Sequence, residues 1–192
     1  MKKATVDINV ILDAALDLFV HYGLGGTRIE AVAKKSGYGY GTVYYYFPNK
    51  ESLYQMVAQR ASDHYAAVSS AVDPDSAPYE QIYSYFKEFF RQMNTKNGAL
   101  DLLLLYDVLI SVSSPESTRL YVKNRFMEIR QTLFTMLEAV KKDGYAPNRN
   151  TSELTDHFIA LMIGSAFLKI SKVGTAPDPE SVLSDLVKPI ES

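Results

Sequence analysis

The chain has 192 residues, enough for one large domain or for a small unit leaning on a larger one, and its 47% hydrophobic and 22% charged content supports a sizeable core and excludes general disorder. A net charge of −2 excludes a polycation, so any contact with a polyanion must come from a local patch. The absence of cysteine excludes a disulfide scaffold, a thiolate metal site and a cysteine nucleophile.

Helical periodicity runs from end to end, with no sustained strand alternation. Ile8, Ile11, Leu12, Ala15, Leu18, Phe19 and Tyr22 recur at three- and four-residue steps and predict a first helix over 8–22, capped by Asp7 and stopped at Gly23. Thr27-Arg28-Ile29-Glu30 matches a capping box and predicts a second helix over 28–36 with Ile29, Val32 and Ala33 inward, closed by Gly37. A third short helix is expected over 40–47, ended by Pro48, and a long one from Lys50 to Val72 behind an Asn49 cap. Further helices are expected near 78–96, 99–112, 115–143, 151–173 and 179–190, with Ser114 capping the seventh and Asn150 or Thr151 starting the eighth. The fold class is therefore all-α, about nine helices.

Three short helices in the first 47 residues, with a tight glycine turn between the second and third, read as a helix-turn-helix, in which the second helix crosses the DNA backbone and holds the third in the major groove. The charge distribution has the matching sign: the first sixty residues hold seven Lys and Arg against five Asp and Glu, the remainder thirteen against seventeen. The run Gly-Thr-Val-Tyr-Tyr-Tyr-Phe-Pro-Asn-Lys-Glu-Ser-Leu at 41–53, with Ile11-Leu12-Asp13-Ala14-Ala15 and Thr27-Arg28-Ile29-Glu30-Ala31-Val32-Ala33 upstream, resembles the TetR family of transcriptional regulators over residues 8–54. The resemblance implies a DNA-binding unit at 1–49 and a helical effector-binding and dimerisation unit at 50–192. It implies DNA contacts at Thr27, Arg28, Tyr40, Gly41, Thr42, Tyr44, Tyr45 and Lys50, and core positions at Val43 and Phe47. Lys2 and Lys3 are candidates for a basic arm. The chain departs from the family at Gly39, where a Ser or Thr cap is usual, at Tyr38, where a small aliphatic residue is usual, and at Tyr40, where Lys or Arg is frequent. With no cation on the third helix, base reading leans on hydroxyls, thymine methyl contacts and water, while Arg28, Lys34, Lys35 and Lys50 supply phosphate contacts.

Simpler readings compete at several positions. Tyr46 is expected in the core, and Lys34 and Lys35 are equally well a solvated face. Gly37-Tyr38-Gly39-Tyr40-Gly41 follows a helix and is not GxGxxG, so it is no phosphate loop. His21, His64 and His157 are isolated and Gly164-Ser165-Ala166 sits in a helical run, so no metal site, cofactor or catalytic set is expected and the chain is not read as an enzyme. Large apolar residues in the C-terminal part suggest a pocket for an apolar or aromatic small-molecule effector, with Tyr65, Phe86, Phe90, Tyr106, Phe126 and Phe134 as candidate contacts. Phe158, Met162, Gly164, Ser165, Leu183 and Leu186 are candidates for a homodimer interface. Acidic residues interrupt any signal-peptide core after Lys2-Lys3. The apolar run Leu100–Ile110 holds Asp101 and Asp107 and is too short to span a bilayer, so a soluble cytoplasmic protein without a membrane partner is expected. The reading is a dimeric repressor released from a pseudo-palindromic double-stranded operator by its effector. The alternatives are a DNA-binding protein of this fold controlled by a protein partner, or a helical domain without DNA binding.

Overall fold

A computed structural model describes residues 5–146, 148–175 and 178–187, with only the backbone at 179 and 184–186. Lys2 and Lys3 lie outside the described residues, as does the side chain of Leu186. The described regular elements are nine α-helices: α1 (Ile8–Gly26), α2 (Ile29–Ser36), α3 (Tyr40–Tyr46), α4 (Lys50–Ala66), α5 (Pro78–Met93), α6 (Gly98–Ile110), α7 (Glu116–Lys142), α8 (Thr151–Ser171) and α9 (Pro179–Leu186). A 3-10 turn at Ala67–Ala71 follows α4, so the single helix expected as far as Val72 tightens in its last turn.

Helix α1 buries Ile11, Leu12, Ala15, Leu16 and Phe19 against α2, α4 and α6, while Ile8 and Tyr22 at its ends stay exposed. Asp7 caps it by accepting from the Asn9 amide, and Gly23, at φ 67°, breaks its regular geometry where the sequence places a stop. Asn49 caps α4 in a reciprocal box with Ser52, and Asn150 caps α8 through the Glu153 amide. Helix α4 is the shared element: it packs on α1 and also on α6 and α7. Helix α5 lays Ile82, Phe86, Phe89 and Met93 against the core at helical spacing, and α8 packs on α6 and α7. Helices α1 and α8 are long and apolar enough to cross a membrane, at a mean hydropathy of 1.3, but each buries one face inside the protein.

Three local expectations are corrected. Thr27 does not cap α2: its hydroxyl donates to the carbonyls of Leu18 (3.1 Å) and Gly23 (2.8 Å), and Arg28 is the cap residue, with no side-chain bond. Ser114 does not cap α7, because its buried hydroxyl is engaged by Tyr54 at 3.1 Å. Tyr46 is exposed and meets Tyr45 edge-on, since the inward positions of α3 are already taken by Val43 and Phe47.

The start of α6 is pressed against the end of α5. A Cβ on Gly98 would stand 2.0 Å from the Gln92 carbonyl oxygen, and the Tyr65 hydroxyl donates to the Gly98 carbonyl at 2.7 Å. Gly98→Ala is expected to cost about 2 kcal/mol through forced backbone displacement, lowering Tm by about 4–8 °C in a thermal melt; an unchanged Tm would show that this junction yields freely.

Candidate nucleic-acid interface

The turn between α2 and α3 depends on one backbone geometry. Gly37 sits in the left-handed region at φ 75°, where a side chain is disfavoured, and it redirects the chain within three residues. Tyr38 is half-buried behind this turn, and its hydroxyl accepts from the Asp7 amide at 3.0 Å, which ties the turn to the start of α1. The hydroxyl thus has the partner that its burial demands.

On α3, helical spacing separates two faces. Val43 and Phe47, four apart, are buried; Tyr40 and Tyr44, and Gly41 and Tyr45, are also four apart and face out. Tyr45 is 81% exposed. The rings of Tyr40 and Tyr44 lie 4.5 Å apart, and hydrogen bonding with the Tyr44 hydroxyl pushes the Tyr40 phenol up to about 12. The Tyr40 phenol therefore stays neutral near pH 7. Residues 36–50 contain no carboxylate to repel a phosphate and one cation, Lys50.

Of the eight expected DNA-contact residues, all but Thr27 keep some exposure. Arg28, Tyr40, Gly41, Tyr44 and Tyr45 are exposed, and Thr42 and Lys50 half-buried. Thr27 is only 3% exposed and turned inward, where its hydroxyl locks the end of α1. Lys50 reaches back instead of out: its Nζ donates to the carbonyls of Gly25 (3.3 Å) and Thr27 (3.1 Å), pinning the start of α4 under the α1–α2 joint. Lys35 is paired with Asp17, whereas Arg28 and Lys34 are exposed and have no intramolecular partner among the described residues.

Polar contacts along α4 carry the position of this unit into the C-terminal helices. Tyr54, fully buried, meets the Phe19 ring edge-on at 5.0 Å, and its hydroxyl donates to Asp107 at 3.1 Å. Arg60 donates to Asp13 of α1 at 2.8 Å, and His64 Nδ1 lies 2.9 Å from Asp101 Oδ2. Sequence reasoning missed this network. The available signal was Asp101 and Asp107 inside an otherwise apolar helix, since carboxylates in such a run need partners.

The expected effector contacts divide. Tyr65 and Phe126 line a closed, apolar cavity of about 20 Å³ together with Tyr85, Leu102, Leu105, Ile129, Ile159, Met162 and Ile163. Phe86 and Phe90 are buried elsewhere in the core, Phe86 against Phe158 with ring centroids 4.4 Å apart; Phe134 is half-buried away from the cavity, and Tyr106 is 42% exposed. Of the expected dimer residues, Phe158, Met162 and Ser165 lie on the face of α8 that packs toward α6 and α7, Leu183 of α9 is buried as well, and Gly164 is exposed. The outward stripe of α8 is Ala160, Gly164 and Phe167.

Residues 11–57 match the family of bacterial regulatory proteins described as the tetR family. The HTH-type transcriptional regulator RutR of Escherichia coli K12 is 40% identical over 77 residues, which are 40% of this chain and 36% of RutR, so the match spans about a third of that relative's length. The fold extends further than the sequence likeness. The ketosteroid transcriptional regulator KstR2 of Mycobacterium tuberculosis superposes with a TM-score of 0.77 at 16% identity, covering 96% of this chain and 94% of that one. The fatty acid degradation regulator FadR of Bacillus halodurans does so at 0.66 and 18%, again covering 96% and 94%.

Removing the Lys50 ammonium strands the Gly25 and Thr27 carbonyls it holds. Lys50→Met is expected to destabilise the joint by about 1–2 kcal/mol and to speed amide hydrogen exchange at Leu24–Arg28, with α7 and α8 unchanged. Exchange that stays as slow as in the wild type would show that the joint is held without this lysine.

Proposed function

We propose, since this chain is a member of the tetR family of bacterial regulatory proteins, that it is a cytoplasmic transcriptional regulator: a dimeric repressor that leaves a pseudo-palindromic operator when a small apolar effector binds. The observation that carries the reading is the outward face of α3. It offers hydroxyls and aromatic edges with no carboxylate of its own, and Arg28 at the cap of α2 and Lys34 within α2 are exposed with no intramolecular partner among the described residues. Tyr40, Gly41, Thr42, Tyr44 and Tyr45 read or hold the groove, and Arg28 and Lys34 contact phosphates. A two-fold mate seated on the Ala160, Gly164 and Phe167 stripe presents a second α3 to the next half-site. Phe167 is 55% exposed and Gly164 permits close helix approach, which supports that contact.

For the effector, support comes from the wholly apolar lining of the cavity among α4 to α8. Its volume of about 20 Å³ admits about one water, whereas ligand pockets run to several hundred Å³. An effector therefore opens the core as it binds and favours a different helix arrangement, by no more than its differential affinity for the two arrangements. The names of KstR2 and FadR, a ketosteroid and a fatty acid degradation regulator, are consistent with apolar effectors of this kind.

The test is duplex binding by the purified chain at two salt concentrations, using sequences selected from a randomised library. Selective, salt-sensitive binding is expected, weakened about tenfold by Tyr44→Phe through the loss of one phosphate hydrogen bond. In Arg28→Ala the salt slope is expected to fall by about one. No selective binding at either salt would sink the regulator reading. For the effector, a panel of steroids and fatty acids is expected to release the duplex from the wild type. Ile129→Phe, which adds bulk on the scale of the cavity, is expected to bind the duplex but to resist release. Equal release from both proteins would move the effector site away from this cavity.

A further inference from the structure

Away from α3, a connected polar cluster lies where α4 meets α5 and α6. His64 Nδ1 is 2.9 Å from Asp101 Oδ2, and His64 Nε2 is hydrogen bonded to Gln92 Oε1. The orientation of the Gln92 amide is decided by its other neighbour. Its nitrogen donates to Glu88 Oε1 at 2.7 Å, and turning the amide over would set its oxygen against that carboxylate. Glu88 is held ionised by Arg91, which donates from Nε and from a terminal nitrogen at 2.6 Å each. A relay from Arg91 through Glu88, Gln92 and His64 to Asp101 thus runs from the surface into the core. Asp101, its inner end, is only 4% exposed.

Both imidazole nitrogens of His64 therefore face oxygen acceptors. A neutral imidazole carries one N–H and can satisfy one of them; the imidazolium carries two and satisfies both. We infer, on the regulator reading above, that His64 is a positioning residue for DNA binding: its imidazolium ties α4 to α5 and α6 in the DNA-binding arrangement, and loss of the proton releases α4 from α5 and weakens DNA binding. The arrangement in which His64 makes both contacts, with the apolar cavity only about 20 Å³ in volume, is taken on that reading as the DNA-binding one. The link matters to DNA because the same helix begins with Lys50, which holds the α1–α2 joint.

The charged groups around His64 are accounted for from each packed element. On α4, Arg60 opposes the imidazolium but is paired with Asp13 of α1, and Asp63 is engaged by Arg125 and Tyr121 of α7. Lys96 lines the same cleft from the α5–α6 connection. Asp101 of α6 and Glu88 with Gln92 of α5 complete the set. The Asp101 hydrogen bond raises the histidine above its ordinary value against the cost of burial, with Gln92 assisting. A raised folded-state value means that the link's contribution is complete below the unfolded value of about 6.5 and fades as pH climbs through the folded one.

The experiment follows duplex affinity at constant ionic strength from about pH 5.5 to about pH 8.5, alongside an NMR titration of the His64 ring. The duplex is one selected from a randomised library. Wild-type affinity is expected to fall about tenfold as His64 loses its proton. His64→Gln, which keeps His21 and His157, is expected to lack that component. Gln92→Met keeps Asp101 but removes the second acceptor; it is expected to lower the His64 titration midpoint and to move the affinity midpoint with it, and it carries the test should His64→Gln not fold. Parallel curves for wild type and His64→Gln, a His64 midpoint at or below about 6.5, or affinity that rises on deprotonation would each overturn the inference. Failure to select any duplex at any pH would instead overturn the regulator reading, and the ring titration alone would then decide whether the two-acceptor imidazolium exists.

Discussion

Helix α4 belongs to two packing units at once, and the rest of the structure depends on that double membership. Tyr54 shows the constraint at one residue: its ring lies edge-on against Phe19 of α1, while its hydroxyl reaches Asp107 of α6 and Ser114 beyond it. A buried hydroxyl deprived of its partners costs about 1–3 kcal/mol, so α4 cannot slide without either breaking the aromatic contact or stranding the phenol. Burial pushes this phenol well above its ordinary range, so it stays a neutral donor at any physiological pH. Lys50 and His64 mark the two ends of the same lever, about 20 Å apart at the rise of an α-helix.

The two halves joined by this lever have opposite chemistry. The exposed face of α3 is made of phenols and a glycine, and the cations next to it in sequence are Lys34 and Lys35 of α2 and Lys50 at the start of α4. The proposed function would divide affinity from reading: Arg28 and Lys34 would act on phosphates without sequence preference, while the exposed face of α3 would meet the groove. The other half closes around a void of about 20 Å³ with an apolar lining. A close-packed interior does not deform continuously, so opening that void requires helices to move as bodies. Tyr65, which lines it, lies on α4, and so the void and the N-terminal helices share one helix as a neighbour.

Most of the secondary structure was legible because it is decided locally. Asp7, Asn49 and Asn150 cap the helices the sequence assigns to them, and Gly23 and Gly37 take the positive φ expected of helix stops. Val43 and Phe47 face inward as the four-residue spacing requires. Where two local partners competed, the sequence was silent on the winner. Thr27 could cap α2 or bind the carbonyls of α1, and Ser114 could cap α7 or meet Tyr54; in both cases the buried partner prevailed, because an acceptor or hydroxyl inside the core has no water to replace it.

Amino-acid order alone therefore determined the all-helical class, the helix-turn-helix and its tyrosine-bearing face, since these follow from periodicity, caps and a glycine turn within fifty residues. Only the tertiary structure decided which face of α8 points inward, which aromatics surround the cavity, and that His64 finds Gln92 and Asp101. Residues 158–167 of α8 are apolar or small nearly all round, so their pattern carries no direction until α6 and α7 claim one side. The His64 partners lie 28 and 37 residues away in sequence. No local pattern encodes contacts at that separation; they exist because α5 and α6 pack against α4 at one register and leave two oxygens facing one ring.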